Sequence, residues 1–232
     1  MKESLASLGR DFMTARAFIY TLRHSSPSEQ ATKDFWSKAS PEAIDKIVKN
    51  LSDPNDKERE QIRRILSELG VCSVLDAGCG PATEYLSYRS SDALREVKYV
   101  GVDLSARMLD IARARFDGIP LVRSDADSLP FADKSFDAVV IRHVLEHQPN
   151  GYKKIVEEAI RIARKGVVID FFLPPLGFNF DVKLTGKEGI ATNWYSKNNF
   201  EKFLFSFPFF CVDLVRCPNI FGQNAAIYTL VK

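Results

Sequence analysis

The sequence predicts an α/β fold, a doubly wound parallel sheet preceded by a helical extension, and three observations carry that prediction. An apolar run, Val74-Leu75-Asp76-Ala77, enters a glycine turn, Gly78-Cys79-Gly80, that opens a helix. Strand-like and helix-like patterns then alternate from Ser73 to Phe172, the long right-handed crossovers that parallel neighbours require. A second strand-like run, Val97 to Val102, ends on Asp103, 23 residues after Gly80. In doubly wound sheets that spacing puts a carboxylate on the ribose hydroxyls of a nucleotide-sized ligand.

Residues 1–70 read as a helical extension or cap and residues 71–232 as the sheet domain. Leu8, Phe12, Ala15, Ile19 and Leu22 recur at helical spacing before a break at Ser25-Ser26-Pro27-Ser28. A helix from Pro41 to Leu51 is stopped by Asp53-Pro54-Asn55. The next, Lys57 to Leu69, carries an apolar stripe of Ile62, Ile65, Leu66 and Leu69 and ends at Gly70. That helix reads as packing material against the sheet; Phe35-Trp36 reads equally as packing or as a cap over the ligand.

Within the domain, strands run from Ile119 to Arg123 and from Phe136 to Ile141, and a helix from Ser105 to Phe116 opens on a serine cap. A helix from Gly151 to Arg164 leads into the apolar strand Val167 to Phe172. Residues 173–195, with Pro174-Pro175 and Trp194-Tyr195, are too long for a plain connection. A helix from Ser196 to Phe205 and strands near Phe209 to Arg216 and Ala225 to Val231 complete the chain. Four strand ends, and with them Asp76, Asp103, Asp125 and His143, are expected on one rim of the sheet.

Composition narrows the partners. A chain of 232 residues with 45% apolar content can bury one sizeable core. A net charge of +2 favours neither nucleic acid nor an anionic membrane surface. Cys72, Cys79, Cys211 and Cys217 lack C-x-x-C spacing and the density of a secreted disulfide scaffold, which points to a reduced, cytoplasmic chain. No apolar run approaches the ~20 residues of a membrane span. Glu3 and Asp11 argue against reading Leu5 to Arg23 as an organelle presequence.

The runs VLDAGCGPATEYL, YVGVDLSARMLDIARAR and RSDADSLPFADKSFDAVVIRHVLEH resemble the class I S-adenosylmethionine-dependent methyltransferases, nearest the type 11 methyltransferase group. The resemblance covers about residues 60–172. Ala82 departs from it, standing where the family often has a third glycine, and Thr83 lacks the glycine of a nicotinamide-binding G-x-G-x-x-G. The resemblance implies a Rossmann-like seven-stranded sheet in the order 3-2-1-4-5-7-6 with its last strand antiparallel, and S-adenosyl-L-methionine as cofactor. It implies that Asp76 orients the glycine turn and the cofactor's ammonium, that Gly78 and Gly80 allow close backbone approach, and that Asp125 and the backbone of Ala126 meet the adenine; Asp127 is the competing choice, and Ser124 to Ser128 also reads as a solvated turn. Leu104 and Met108 read as apolar walls against that ring or as core.

His143-Val144-Leu145-Glu146-His147 spells the zinc-peptidase pattern H-x-x-E-H, but a strand ends directly before it and Gln148-Pro149-Asn150-Gly151 interrupts it, so no metal is expected. The family's turn after the fourth strand accounts for the same letters, and some quinone-pathway relatives hold a divalent cation with acids there, which leaves Glu146 in view. His143 reads as a catalytic base for an acceptor hydroxyl, or as a hydrogen-bonded part of the cleft wall. Arg142 reads as a ligand for an acidic substrate or as a partner of a nearby carboxylate. Eleven of the seventeen phenylalanines follow residue 170, which suits an apolar or aromatic acceptor walled by Phe171, Phe172, Pro174 to Phe180 and Trp194-Tyr195, or an ordinary core with a homodimer face. Methylation of a small molecule is the leading expectation. A tRNA-modifying enzyme and a non-catalytic cofactor-binding scaffold are the alternatives.

Overall fold

The computed structural model describes residues 35, 36, 38, 40–50, 53–148, 151–177, 179–185, 191–209, 211–218 and 224–232. The expected helix around Leu8 to Leu22 and the break at Ser25 to Ser28 lie outside the described residues. Among the described residues the numbered elements start with α1 (Pro41–Asn50) and α2 (Lys57–Glu68). There follow β1 (Ser73–Ala77), α3 (Thr83–Arg89), β2 (Lys98–Asp103), α4 (Ala106–Arg115), β3 (Leu121–Arg123) and β4 (Phe136–Arg142). After a single 3-10 turn at Leu145–His147 come α5 (Lys153–Ile162), β5 (Ala163–Phe171), the hairpin β6 (Val182–Thr185) and β7 (Ala191–Trp194), α6 (Lys197–Leu204), β8 (Cys211–Pro218) and β9 (Asn224–Val231).

Seven strands form one sheet in the order β3-β2-β1-β4-β5-β9-β8, which is 3-2-1-4-5-7-6 when its own strands are counted along the chain. β9 runs antiparallel to β5 and to β8, while the first five strands are parallel to one another. The expected architecture is therefore present. Every residue of β1 and β4 is buried, because helices cover both faces and the strands read as continuous apolar runs. Neighbours on a strand serve opposite cores: Leu75, Val139 and Ile169 pack with Val156, Ala159 and Phe200, whereas Val74, Val140 and Val168 pack with Ile62, Leu66 and Tyr88.

Winding reverses between β1 and β4, whose first neighbours lie on opposite sides, and this opens a crevice at their carboxyl ends. Two elements differ from expectation. β5 begins at Ala163 instead of Val167, because Arg164 and Lys165 occupy its start and interrupt the apolar pattern while bonding Asp137 and the carbonyl of Gly70. The long connection before α6 contains its own hairpin, β6 with β7, pinned where Asn193 Nδ2 donates to the Gln148 carbonyl at 2.7 Å and Tyr195 Oη to that of Leu145 at 2.5 Å. Among the described residues no helix is long and apolar enough to cross a membrane, and the four cysteines are free thiols.

Candidate active site

The first rim of the crevice is built from the ends of β1, β2 and β3. Asp76, fully enclosed at the end of β1, accepts a 2.7 Å hydrogen bond from the Tyr99 hydroxyl on β2. Burial, reinforced by the nearby Glu84, raises its pKa to about 7. Gly78 follows at φ +84°, and a Cβ there would collide with the Val144 side chain, so only glycine lets the turn pass beneath the segment after β4. Asp103 ends β2 and is gripped by backbone: Oδ2 accepts from the Gly80 N–H and Oδ1 from the Ser105 N–H, both at 2.8 Å. Desolvation raises the Asp103 pKa against the opposing pull of these two donors. Ser105, not Asp103, caps α4, accepting from the Met108 N–H at 3.3 Å and donating its own hydroxyl to the Trp36 carbonyl at 2.6 Å. Asp125 opens the turn after β3, its carbonyl accepting from the Ser128 N–H at 3.2 Å.

The second rim is made of side chains. Arg142, the last residue of β4, reaches Asp56 at 3.1 Å, Glu58 at 2.9 Å and Asp170 of β5 at 3.0 Å. Burial presses its pKa down, but Glu84, Asp170, Asp56 and Glu58 together more than reverse this. Arg59 pairs with Asp56, its α2 N-cap, and lies 2.7 Å from Glu84 at the start of α3. His143 adopts φ +55°, uncommon for a residue with a side chain, and turns its Nε2 to Glu58 Oε1 at 3.0 Å and Asp170 Oδ2 at 3.4 Å. Among the described residues, Glu58, His143 and Asp170 are the set of histidine and acid donors gathered within 4.8 Å. Arg142 already bonds an oxygen of both acids, so the cation that balances them belongs to the protein.

Between the rims lies a cleft with about 1050 Å³ of open space counted to its mouth. Asp76, Gly78, Gly80, Asp103, Leu104, Asp125, Ala126 and His143 all line it, as do Met108, Trp36, Arg59, Glu84, Arg142, Val144 and His147. Residues 75–170 match the model of a methyltransferase domain. The chain is 38% identical over 107 residues to a demethylmenaquinone methyltransferase of Renibacterium salmoninarum, covering 45% of this chain and 43% of that one. Over residues 75–170 the chain is thus similar to the methyltransferase domain, and the curated relatives it matches are named as methyltransferases. A phthiotriol/phenolphthiotriol dimycocerosates methyltransferase of Mycobacterium ulcerans is 28% identical over 137 residues, covering 56% of this chain and 49% of that one. The chain thus spans between about two fifths and just under two thirds of the length of the curated relatives it matches. The magnesium protoporphyrin IX methyltransferase of Synechocystis PCC 6803, solved with S-adenosylmethionine, shares the fold with a TM-score of 0.59 at 15% identity, covering 88% of this chain and 96% of that one.

The cleft suits S-adenosylmethionine on its own chemistry. Glu84 Oε1 meets Arg59 while Oε2 is buried without a hydrogen-bond donor, a Cβ on Gly80 would face open space, and most of the wall is apolar. The H-x-x-E-H letters fall just after the end of β4 and on a 3-10 turn. Glu146 lies under that turn instead of lining the cleft; it accepts from the Leu173 N–H at 3.3 Å, and burial raises its pKa to about 7. Phe171 and Tyr195, expected in the acceptor wall, belong to the core with Phe200, because β5 alternates and sends Phe171 to the α6 face. Phe172 instead meets the rings of His143 and His147, with centroids 5.2 and 5.6 Å away, and Trp36 meets His147 at 5.6 Å. The sequence reading missed Asp56, Glu58, Arg59, Glu84 and Asp170. Helix α2, read as packing, together with its N-cap Asp56 supplies the first three, of which Arg59 lines the cleft. One signal was present: Glu58 precedes Ile62 by four residues and so continues the buried stripe.

Proposed function

We propose that this protein transfers a methyl group from S-adenosylmethionine to a small-molecule acceptor with an apolar or aromatic body. The observation that carries the proposal is the convergence of Asp76, Asp103, Asp125 and His143 on one cleft with two unlike rims. The cofactor supplies a methyl group already activated by the sulfonium charge, so the protein's task is alignment in a dry pocket. Asp103, held rigid by two N–H donors, accepts the ribose hydroxyls with its remaining lone pairs. Asp125 and the backbone of Ala126 take the adenine edge, with Leu104 and Met108 against its face. Asp76 and Glu84 face the ammonium of the amino-acid end, and Arg59 its carboxylate.

On the far side, Trp36, Val144, His147 and Phe172 form the body of the acceptor site, and His143 meets its reacting group. Trp36 and α2 act as part of a cap in this reading, since Trp36 lines the cleft and α2 delivers Arg59 to it. The relatives named for demethylmenaquinone and for phthiotriol/phenolphthiotriol dimycocerosates support a small molecule over tRNA, as does the net charge of +2. Free thiols support a cytoplasmic setting, and a homodimer is part of the same proposal.

The test is a label-transfer assay. The purified chain is incubated with methyl-labelled S-adenosylmethionine and, separately, with a cellular small-molecule extract and with total tRNA. Label in the extract is the expected result. Label in tRNA would move the acceptor class, and no label in either, with the cofactor bound, would make the protein a binding scaffold.

A further inference from the structure

One ring nitrogen, Nε2 of His143, lies within 3.0 Å of Glu58 and 3.4 Å of Asp170, and such a nitrogen must carry a proton. The carboxylates are held in turn. Arg142 bonds Glu58 Oε2 at 2.9 Å and Asp170 Oδ2 at 3.0 Å, so neither can swing away without breaking a second contact. The backbone cooperates: the His143 N–H donates to the Asp170 carbonyl at 2.9 Å, and the strained φ of +55° is kept by bonds at both ends of the residue.

We propose that Glu58 and Asp170 are positioning residues that hold His143 as an imidazolium, and that the methyl acceptor therefore meets it with an anionic oxygen, as a phenolate, enolate or carboxylate. This rests on the methyltransferase reading of the cleft and names its substrate class.

The groups around the ring support a retained proton. Helix α2 contributes Asp56, Glu58 and Arg59, α3 contributes Glu84, β4 Arg142, and β5 Asp170. Four carboxyl groups thus face two guanidinium groups, and a proton on the imidazole brings the enclosed set closer to neutrality. Glu146 beneath the turn, raised to about 7 by burial, adds less than a full negative charge near neutrality. Tyr88 and Cys217, the other titratable neighbours, are pushed up by burial and stay neutral. Burial and Arg142 press the His143 pKa down, yet Asp170 and Glu58 outweigh them and raise it to about 9. Nδ1, which engages neither carboxylate, is then an N–H donor at neutral pH. A donor there lowers the pKa of an acceptor O–H, so the oxygen is ionised before methyl transfer; a basic imidazole would instead have to remove that proton itself.

The test reads the ring directly. The full chain, labelled with nitrogen-15 in its three histidines, is titrated by NMR, and His143→Gln identifies the signal. Protonation at pH 7 with a midpoint near 9 is expected; Glu58→Gln and Asp170→Asn each lower that midpoint by at least one pH unit, and Glu58→Asp restores part of it. A neutral ring at pH 7 in the parent chain, or a midpoint that neither Glu58→Gln nor Asp170→Asn moves, overturns the positioning role. In the second arm the protein loaded with S-adenosylhomocysteine is offered 2-naphthoate and 2-naphthylmethanol. At least tenfold preference for the anion is expected, and equal binding of the two overturns the substrate class. Failure to take up S-adenosylhomocysteine would count against the methyltransferase reading, while the ring titration still decides on Glu58 and Asp170.

Discussion

The two rims of the cleft solve the problem of enclosing carboxylates in different ways. On the β1–β3 rim Asp103 is satisfied by the N–H groups of Gly80 and Ser105, and Asp76 by the Tyr99 hydroxyl of the neighbouring strand. On the β4–β5 rim the acids are satisfied by cations from remote parts of the chain, Arg142 meeting Asp56 across 86 residues and Glu58 across 84. The first solution fixes geometry with backbone that folding has already placed, leaving lone pairs for a ligand. The second ties α2 to the sheet and sets the charge state of His143. In the proposed assignment the cofactor side is therefore rigid and generic, and the acceptor side is electrostatically coupled to α2.

Removing the keystone of the ion-pair rim is the strongest way to break this contrast. Arg142→Met leaves Asp56, Glu58 and Asp170 buried without their shared guanidinium, and unfolding in denaturant is expected to show a loss of about 3–5 kcal/mol. A loss below about 1 kcal/mol would show that water or neighbouring groups already satisfy those acids. Asp103→Ala should instead leave stability nearly unchanged and weaken S-adenosylmethionine binding at least tenfold by calorimetry, the equivalent of about 1.5–3 kcal/mol for charge-assisted bonds. Unchanged affinity would remove Asp103 from the site. Gly78→Ala falls between the two rims, since the added methyl meets Val144 on the opposite side at a positive φ. It should cost about 1–3 kcal/mol of stability, and Val144→Ala should recover only the part due to collision, because the backbone strain remains.

The same contrast explains what the sequence makes legible. Strand order, the glycine turn and Asp103 are written locally: an apolar run, a breaker and a spacing each imply the next step. Asp170 sits at the end of an apolar strand and looks like an ordinary terminus, and nothing in its neighbours announces that it opposes Glu58. Glu58 was legible only as a charge in the position where α2 should be apolar. Arg142 was readable as a residue needing an acid, but which acid depends on packing α2 against the sheet. Phe171 and Phe172 were equivalent until β5 acquired a register, which sent one to the core and the other to the rings of His143 and His147.

The smallest expected effect probes the generic rim through pH. Asp76 has a pKa raised to about 7, so it is largely neutral at pH 5.5 and ionised at pH 8. For folding alone the sign is unfavourable with rising pH: the raised pKa gives a contribution present below the ordinary carboxylate range and lost as pH climbs through about 7. For the cofactor the sign is opposite. An ammonium favours ionised Asp76, so binding at pH 6 releases a proton and affinity should rise severalfold between pH 6 and 8 before levelling off. Glu146 titrates in the same window, and Tyr99 separates the two, because its hydroxyl bonds Asp76 and pulls that pKa down. Tyr99→Phe should therefore shift the midpoint of the affinity curve upward, by about half to one pH unit. Calorimetry across this range in buffers of different ionisation enthalpy reads both the proton released and the midpoint. A pH-independent affinity would show that the ammonium is held by Glu84 alone, moving the amino-acid end of the cofactor from the generic rim toward the ion-pair rim.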